Sequence, residues 1–202
     1  MWPVTVTPID GWSPDQYERF RSERQQPFVD LLMLCHPVPG GRVVDLGCGT
    51  GDLTARLARH VGRVVAVDRS AAMLKAARRR VEGLQNVELH RADLEELPLD
   101  DASCDAALLV LALTYVAEPG RVLAEVARIL RPGGAAVVAD LVRHDDDAFR
   151  RRMGQASLGF DAPELTALLE RAGLGEVRCR SLPPEPGARG PALLVARAER
   201  AS

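Results

Sequence analysis

The sequence predicts an α/β protein built on a doubly wound, mostly parallel sheet. Apolar runs of strand type alternate with segments of helix type, each about ten residues long. The runs are apolar at successive positions, which is typical of parallel strands covered by helices on both faces. A turn with three glycines directly follows the first run. Together these observations indicate consecutive βαβ units in one sheet.

Length and composition predict one domain. The chain has 202 residues, of which 47% are hydrophobic, enough for one substantial core. Its 26 basic and 28 acidic residues nearly cancel, which argues against nucleic acid as a partner. No apolar run approaches the roughly 18 residues of a membrane span, and the first residues lack a signal-peptide pattern. We therefore expect a cytoplasmic protein without a membrane partner.

The cysteines do not indicate a metal site. Cys35, Cys48, Cys104 and Cys179 form no C-x-x-C pair, and no histidine stands beside them at ligand spacing. We therefore expect reduced thiols and no bound metal.

The predicted elements begin with a helical cap over residues 13–36. Ser13 is a suitable N-cap residue, and Pro14 follows at the first helical position. Residues 42–141 form the predicted core, in which the turn "RPGG" precedes the last strand. Its strands are expected at 42–47, 63–68, 86–92, 104–113 and 134–142, and its helices at 52–61, 70–81 and 120–130.

Beyond Val142 the alternation changes. The join "PPEPGARGP" between the last two strand-like runs is too short for a crossover helix, so these strands should form an antiparallel hairpin. Residues 142–160 are expected to form a lid, and residues 161–202 to supply a helix and the hairpin. The predicted elements are helices at 144–153 and 161–173 and strands at 175–182 and 192–199.

The glycine-rich turn "VVDLGCGTGDLT" favours a cationic ligand without phosphate. A dinucleotide site needs the spacing G-x-G-x-x-G, so that a helix N-terminus faces the pyrophosphate. Here Gly47, Gly49 and Gly51 alternate with other residues, and Asp52 would repel a pyrophosphate. Asp45 stands two residues ahead of the first glycine. S-adenosylmethionine, with its sulfonium and ammonium groups, fits this turn better than NAD does.

Two further acids follow later strands. Asp68 ends the run "RVVAVD", where its carboxylate can accept hydrogen bonds from ribose hydroxyls. Asp93 follows the third strand-like run, where a carboxylate can accept from the amino group of adenine. Asp68 alone also fits NAD, so it is the combination of acids with the glycine turn that favours S-adenosylmethionine.

Four segments in order resemble the class I S-adenosylmethionine-dependent methyltransferases. They are "VVDLGCGTGDLT", "VVAVDRSAAML", "RADLEELPLDDASCDAALLV" and "RILRPGG", within Arg42 to Leu141. The resemblance implies a Rossmann-like, seven-stranded sheet whose final strand is antiparallel. It also implies that the three glycines lie against the methionine moiety and Asp68 against ribose, with Met73 near the adenine and Asp93 and Leu94 at its edge.

The flanking segments resemble two different groups of small-molecule methyltransferases. The segment "WSPDQYERFRSERQQPFVDLL" is similar to the entry helix of trans-aconitate methyltransferases. The segments from Asp140 onward, "DLVRHDDDAFRRRMGQASLGFDAPELTALLERAG" and "LPPEPGARGPALLVA", are similar to methyltransferase domains fused to arsenical-repressor-type regulators, which are described by their likeness to menaquinone methyltransferases. These resemblances disagree about the acceptor and agree that it is a small molecule.

The predicted cofactor site draws on the turn, the strand ends and the entry helix. On that helix Tyr17, Phe20 and Arg24 are placed to close over the cofactor, although Arg24 also fits a solvated surface position. Asp45 has a second interpretation as a cap for the turn's amides, and Cys48 a second one as a small filler. The predicted set is Tyr17, Asp45, Gly47, Cys48, Gly49, Gly51, Asp68, Arg69, Met73, Asp93, Leu94 and Leu109.

Tyr115 and His144 are the candidates for catalysis. Tyr115 follows the fourth strand, where the resemblance implies residues that face the transferable methyl; it either lines that pocket or packs in the core. His144 follows the fifth strand and either acts as a general base or flanks a helix in solvent. The run from Asp145 to Asp147 suits the start of a helix better than a metal, since adjacent carboxylates point in different directions.

The functional expectation is an enzyme of class EC 2.1.1 that moves a methyl group directly from S-adenosylmethionine to a small molecule. The cofactor product is S-adenosylhomocysteine. Two alternatives stay open: a non-catalytic protein or regulatory subunit that binds the cofactor, and an NAD-dependent oxidoreductase. The expected assembly is a monomer or a homodimer.

Overall fold

The computed structural model describes residues 40–182 and 190–201, in which strands and helices alternate over most of the chain. The strands are β1 (Arg42–Leu46), β2 (Arg63–Asp68), β3 (Val87–Arg91), β4 (Cys104–Val110), β5 (Leu130–Leu141), β6 (Leu174–Ser181) and β7 (Leu193–Arg200). The helices are α1 (Asp52–Leu57), α2 (Ala71–Arg80), α3 (Pro119–Ile129), α4 (Asp147–Met153) and α5 (Ala162–Arg171). A 3-10 turn spans Leu113–Tyr115.

The strands form one sheet in the order β3-β2-β1-β4-β5-β7-β6. β1 to β5 pair in parallel, whereas β7 runs antiparallel to both β5 and β6. The predicted doubly wound sheet with an antiparallel C-terminal hairpin is therefore confirmed. The strand order reverses between β1 and β4, and open α/β sheets bind ligands beyond the carboxyl ends of the strands at such a point.

The central strands are buried because hydrophobic side chains cover both faces of the sheet. Alternate residues of a strand point to opposite faces, so neighbours in β1 contribute to different clusters. Val44 packs in a cluster that contains Leu109 of β4 and Val122 of α3. Val43 packs on the other face, with Leu57 of α1. Both faces of the strands that carry the glycine turn are thus packed against helices.

Several boundaries differ from the expectation for local reasons. α1 ends at Leu57, because the His60 N–H bonds to the Leu57 carbonyl three residues back instead of extending the α pattern. β4 ends at Val110, because Leu111 takes a left-handed backbone with φ 54°. β5 includes the expected turn "RPGG", because Leu130 already pairs with Cys104 before a register shift.

The segment after β5 is tied to the end of that strand. Val142 and Phe160 form a parallel bridge, and the Phe160 N–H donates to the Leu141 carbonyl at 2.9 Å. α4 begins later than expected, at Asp147, because the Asp146 carboxylate caps it by accepting from the Phe149 N–H at 2.8 Å. The expected role of this segment as a lid stays a prediction.

Two expected features lie outside the described residues. They are the helical cap over residues 13–36, with Tyr17, Phe20 and Arg24, and most of the proline-rich join before β7. Among the helices that the structure describes, none is long and apolar enough to cross a membrane.

Candidate functional site

An open cleft of about 650 Å³ lies where the strand order reverses, beyond the carboxyl ends of β1, β2 and β4. It joins the glycine turn after β1 to the ends of the two neighbouring strands. Polar groups cluster on one side, whereas the wall after β4 is mostly apolar. The lining residues are Gly47, Gly49, Asp68, Arg69, Ser70, Met73, Asp93, Leu94, Leu111, Ala112, Tyr115 and Val116.

The glycine turn needs glycine for both conformation and space. Gly47, Gly49 and Gly51 all have left-handed backbones, with φ of 74°, 54° and 79°. A Cβ on Gly47 would lie 2.9 Å from the Cβ of Ala112, closer than carbon atoms normally approach. The Gly47 N–H donates to the Val67 carbonyl at 2.8 Å, which holds the turn against β2. The turn therefore presents bare backbone to the cleft.

Asp68 organises the floor of the cleft at the end of β2. Its carboxylate accepts the Gly49 N–H and the Ser70 N–H, each at 2.8 Å. One side chain thus holds the glycine turn and the start of α2 in fixed relation. Asp68 also lies among the lining residues of the cleft, and a carboxylate is a suitable acceptor for ligand hydroxyls.

Other predicted cofactor residues meet around the same cleft. Met73 in the first turn of α2 and Leu94 after β3 supply apolar walls, and Arg69 lies between Asp68 and α2. The Asp93 carboxylate accepts the Glu95 N–H at 3.1 Å. The fold therefore brings together the residues that the sequence placed at the ends of three successive strands.

Four predicted residues of the described part of the chain are not among the lining residues of the cleft. Asp45 is 2% exposed and accepts a hydrogen bond from the Thr54 hydroxyl at 2.5 Å, which ties β1 to α1. Cys48 packs against Ala66, and Leu109 lies in the core. Gly51, the fourth, is the N-cap of α1. Contact of these residues with a cofactor stays a prediction.

The environment of Cys48 keeps its thiol protonated. Burial raises the pKa of this thiol well above its ordinary value, and the nearby carboxylates of Asp45 and Asp68 raise it further. A thiolate is the reactive form of cysteine. The structure thus agrees with a packing role for Cys48.

The two catalytic candidates occupy different positions. Tyr115 lines the cleft from the 3-10 turn after β4. His144 is not among the lining residues; its Nδ1 accepts the Asp146 N–H at 3.2 Å, and its ring meets Phe149 edge-on. Catalytic roles for both residues stay predictions.

Sequence reasoning missed the buried carboxylate of Asp140 near the end of β5. Asp140 is 0% exposed and accepts the Leu141 N–H at 2.8 Å and the Thr114 N–H at 3.2 Å. A lone acid inside the apolar run "GAAVVADLV" was the available signal, because buried charges require specific partners. Leu111, Ala112 and Val116, which also line the cleft, carried no such signal.

Asp140 predicts a specific dependence of stability on pH. Burial raises its pKa from 3.8 to about 6, while hydrogen bonds from Leu141 and Thr114 oppose the shift. Between these values the folded state binds more protons than the unfolded state, so the contribution of Asp140 to the free energy of unfolding falls as pH rises. The expected loss is about 2 to 3 kcal/mol between pH 4 and pH 7.

The measurement is urea unfolding of the wild type and Asp140→Asn at several pH values. The difference between the two proteins removes the contributions of other carboxyl groups, such as Glu125, whose pKa is lowered chiefly by its hydrogen bond with Arg128. Relative to the variant, the wild type should lose stability as pH rises through this range. Parallel curves would contradict the raised pKa.

Comparison with known proteins agrees with this geometry. Residues 44–138, which include the glycine turn and the strands around the cleft, match a family described as "Methyltransferase domain". The matched region is a class I S-adenosylmethionine-dependent methyltransferase domain. The expected methyl donor is thereby confirmed at the level of the family, which decides against the NAD alternative.

The relatives of this methyltransferase domain differ in their acceptors. The chain is 38% identical over 141 residues to trans-aconitate 2-methyltransferase from Deinococcus radiodurans, covering 69% of this chain and 53% of that protein. It is 44% identical over 104 residues to demethylmenaquinone methyltransferase from Clavibacter sepedonicus, covering 52% and 42%. The chain thus spans about half the length of these relatives.

A solved structure confirms the methyltransferase fold. The crystal structure of an S-adenosylmethionine-dependent methyltransferase from Aquifex aeolicus superposes with a TM-score of 0.73 at 24% identity. The match covers 93% of this chain and 98% of that one. At this identity the likeness concerns the fold alone.

Proposed function

We propose that the protein transfers a methyl group from S-adenosylmethionine to a small-molecule acceptor by direct in-line displacement. The observation that carries the proposal is the cleft at the sheet's switch point, where bare glycine backbone faces the carboxylates of Asp68 and Asp93. No lysine or phosphate loop accompanies this turn. The combination suits a nucleoside ligand that carries positive charge and lacks phosphate.

The residues around the cleft fit the cofactor group by group. Asp68 would accept hydrogen bonds from the ribose hydroxyls, since its carboxylate is already oriented by two backbone amides. Asp93 would accept from the adenine amino group, between the apolar side chains of Met73 and Leu94. Gly47 would lie against the methionine moiety, because its backbone lines the cleft without a side chain. S-adenosylmethionine itself supplies an electrophilic methyl group bonded to a sulfonium.

The chain's task is then to orient the acceptor and exclude water. The wall after β4, made by Leu111, Ala112, Tyr115 and Val116, presents apolar surface and one phenol group. An acceptor held against this wall would approach the methyl group from the side away from the nucleoside subsite. Such alignment lowers the barrier because it replaces a bimolecular encounter by a preset geometry.

A small acceptor agrees with both the cleft and the relatives. Trans-aconitate, demethylmenaquinone and dimethylglycine appear in the names of four relatives that share 37% to 44% identity with parts of this chain. These compounds differ in charge and size, so the proposal specifies a small organic molecule and no particular one.

The test combines binding with turnover. Titration calorimetry with S-adenosylhomocysteine and NAD should show binding of the first and not of the second. Mass spectrometry of reactions with carboxylates, phenols, quinols and amines should then show a methylated product together with S-adenosylhomocysteine. Binding without any product, even in a cell extract, would favour the non-catalytic alternative, and failure to bind S-adenosylhomocysteine would overturn the proposal.

Two variants separate the catalytic candidates once an acceptor is known. If His144 removes a proton from the acceptor, His144→Ala should lower kcat by about a hundredfold with little change in S-adenosylhomocysteine affinity, the scale of general-base catalysis. Tyr115→Phe keeps the ring in the wall and removes the hydroxyl, so an unchanged kcat would assign Tyr115 to packing. An unchanged rate across pH for His144→Ala would remove His144 from the mechanism.

A further inference from the structure

We propose that Asp140 is a positioning residue that holds the wall of the cleft carrying Tyr115. Asp140 lies near the carboxyl end of β5 and does not itself reach the cleft lining. Its carboxylate accepts the Thr114 N–H at 3.2 Å, and Thr114 is the middle residue of the 3-10 turn whose last residue is Tyr115. The inference takes from the proposed function only that the cleft binds S-adenosylmethionine and an acceptor.

The turn that Asp140 holds departs from regular structure. Leu111, two residues before the 3-10 turn, has a left-handed backbone with φ 54°, a conformation that costs a non-glycine residue about 1 to 2 kcal/mol. Such conformations persist where surrounding contacts determine them. The Leu111 N–H donates to the Ala139 carbonyl at 2.7 Å, next to Asp140 in β5. Two successive residues of β5, Ala139 and Asp140, therefore accept hydrogen bonds from Leu111 and Thr114.

A second contact holds the opposite side of the turn. The Thr114 carbonyl accepts the Ala156 N–H at 2.8 Å and the Ser157 N–H at 3.2 Å. The peptide groups of Thr114 are thus bonded to Asp140 on one side and to the segment after α4 on the other. Tyr115 follows immediately, so its ring position depends on both contacts.

A carboxylate suits this position because the groups it meets are donors. Thr114 and Leu141 both offer backbone N–H groups, and Thr114 is itself 0% exposed. A buried N–H without an acceptor is costly, and a charged acceptor makes a stronger hydrogen bond than a neutral one. Burial raises the pKa of Asp140, and hydrogen bonds from Leu141, Thr114 and Leu113 lower it. The three residues that donate these hydrogen bonds are all neutral.

The proposal is tested with Asp140→Asn in the full-length protein. The asparagine oxygen accepts one N–H, while its amino group presents a donor where the second N–H needs an acceptor. Hydrogen exchange of peptides that cover residues 111–116 should accelerate by about tenfold, the scale of one lost hydrogen bond to a charged group, while peptides from β1 and β2 exchange as before. The affinity for S-adenosylhomocysteine should fall by about three- to tenfold.

Asp105→Asn is the matched control. Asp105 lies at the other end of β4, where its carboxylate accepts the Arg42 N–H at 2.7 Å and the Arg131 guanidinium at 2.7 Å. Asp105→Asn disturbs two hydrogen bonds to a carboxylate far from the cleft. The variant should therefore leave hydrogen exchange at residues 111–116 and the affinity for S-adenosylhomocysteine unchanged. The ring signals of isotope-labelled Tyr115 should shift in Asp140→Asn and stay in place in Asp105→Asn.

The outcomes separate this inference from the proposed function. Exchange at 111–116 needs no ligand and no acceptor, so its acceleration supports the positioning role even if no methyl transfer is found. Equal acceleration throughout the chain, or none at the turn, would overturn the role while S-adenosylhomocysteine still binds. If Asp140→Asn does not fold, Asp140→Ser is measured instead, and failure of both to fold would assign Asp140 to global stability and overturn the inference.

Discussion

Asp68→Ala should weaken the binding of S-adenosylhomocysteine by about 1 to 3 kcal/mol, the scale of hydrogen bonds lost to a charged acceptor. The substitution removes the predicted ribose acceptor. It also leaves the Gly49 N–H and the Ser70 N–H without the carboxylate that they share. Both effects act on the same cleft, so the loss should lie toward the upper end of the range. Titration calorimetry measures it directly.

Two further variants identify the origin of that loss. Asp68→Asn keeps the size of the side chain and one acceptor oxygen, so it should bind more tightly than Asp68→Ala. Asp100→Ala removes an exposed carboxylate outside the cleft lining and should bind like the wild type. A dissociation constant that does not change in Asp68→Ala would show that the ribose lies elsewhere.

Gly47→Ala should destabilise the fold by about 2 to 5 kcal/mol and reduce cofactor affinity. The new Cβ would need a left-handed backbone, which costs about 1 to 2 kcal/mol. It would also lie 2.9 Å from the Cβ of Ala112, and such overpacking costs about 1 to 3 kcal/mol. Ala112 belongs to the wall of the cleft, so its displacement would alter the acceptor side as well.

Gly83→Ala is the control that measures the cost of the left-handed backbone without a clash. Gly83 also has a left-handed backbone, with φ 84°, but a Cβ there would meet nothing within 4 Å. Urea unfolding of both variants separates the cost of the clash from the cost of the conformation. Equal losses of stability would mean that the Gly47 clash relaxes freely, and the cleft would then tolerate a side chain at the turn.

The order of elements and the cofactor could be predicted from local patterns. The runs "RVVDLG" and "RVVAVD" are strands because continuous apolar residues suit parallel strands covered on both faces. The ligand class followed from the glycine turn with Asp45 and Asp52, combined with the acids Asp68 and Asp93 after later strands. Each of these inferences uses residues that are neighbours in the chain.

The positions of side chains at the site could be predicted less well. Asp45 faces the Thr54 hydroxyl behind the turn, and Leu109 points into the core rather than the cleft. His144 meets Phe149 at the start of α4 rather than lining the cleft. A strand pattern indicates that residues alternate between two faces, but the neighbours on each face come from distant parts of the chain.

By itself, the sequence determined that this protein has a doubly wound sheet with a glycine turn suited to S-adenosylmethionine, because turn chemistry and strand periodicity are local properties. Only the tertiary structure decided what forms the wall opposite the nucleoside subsite. That wall depends on the left-handed backbone of Leu111 and on Asp140, which bonds to Thr114 from 26 residues away in the chain. Such a contact arises only when β5 is paired beside β4 and the rest of the core excludes water.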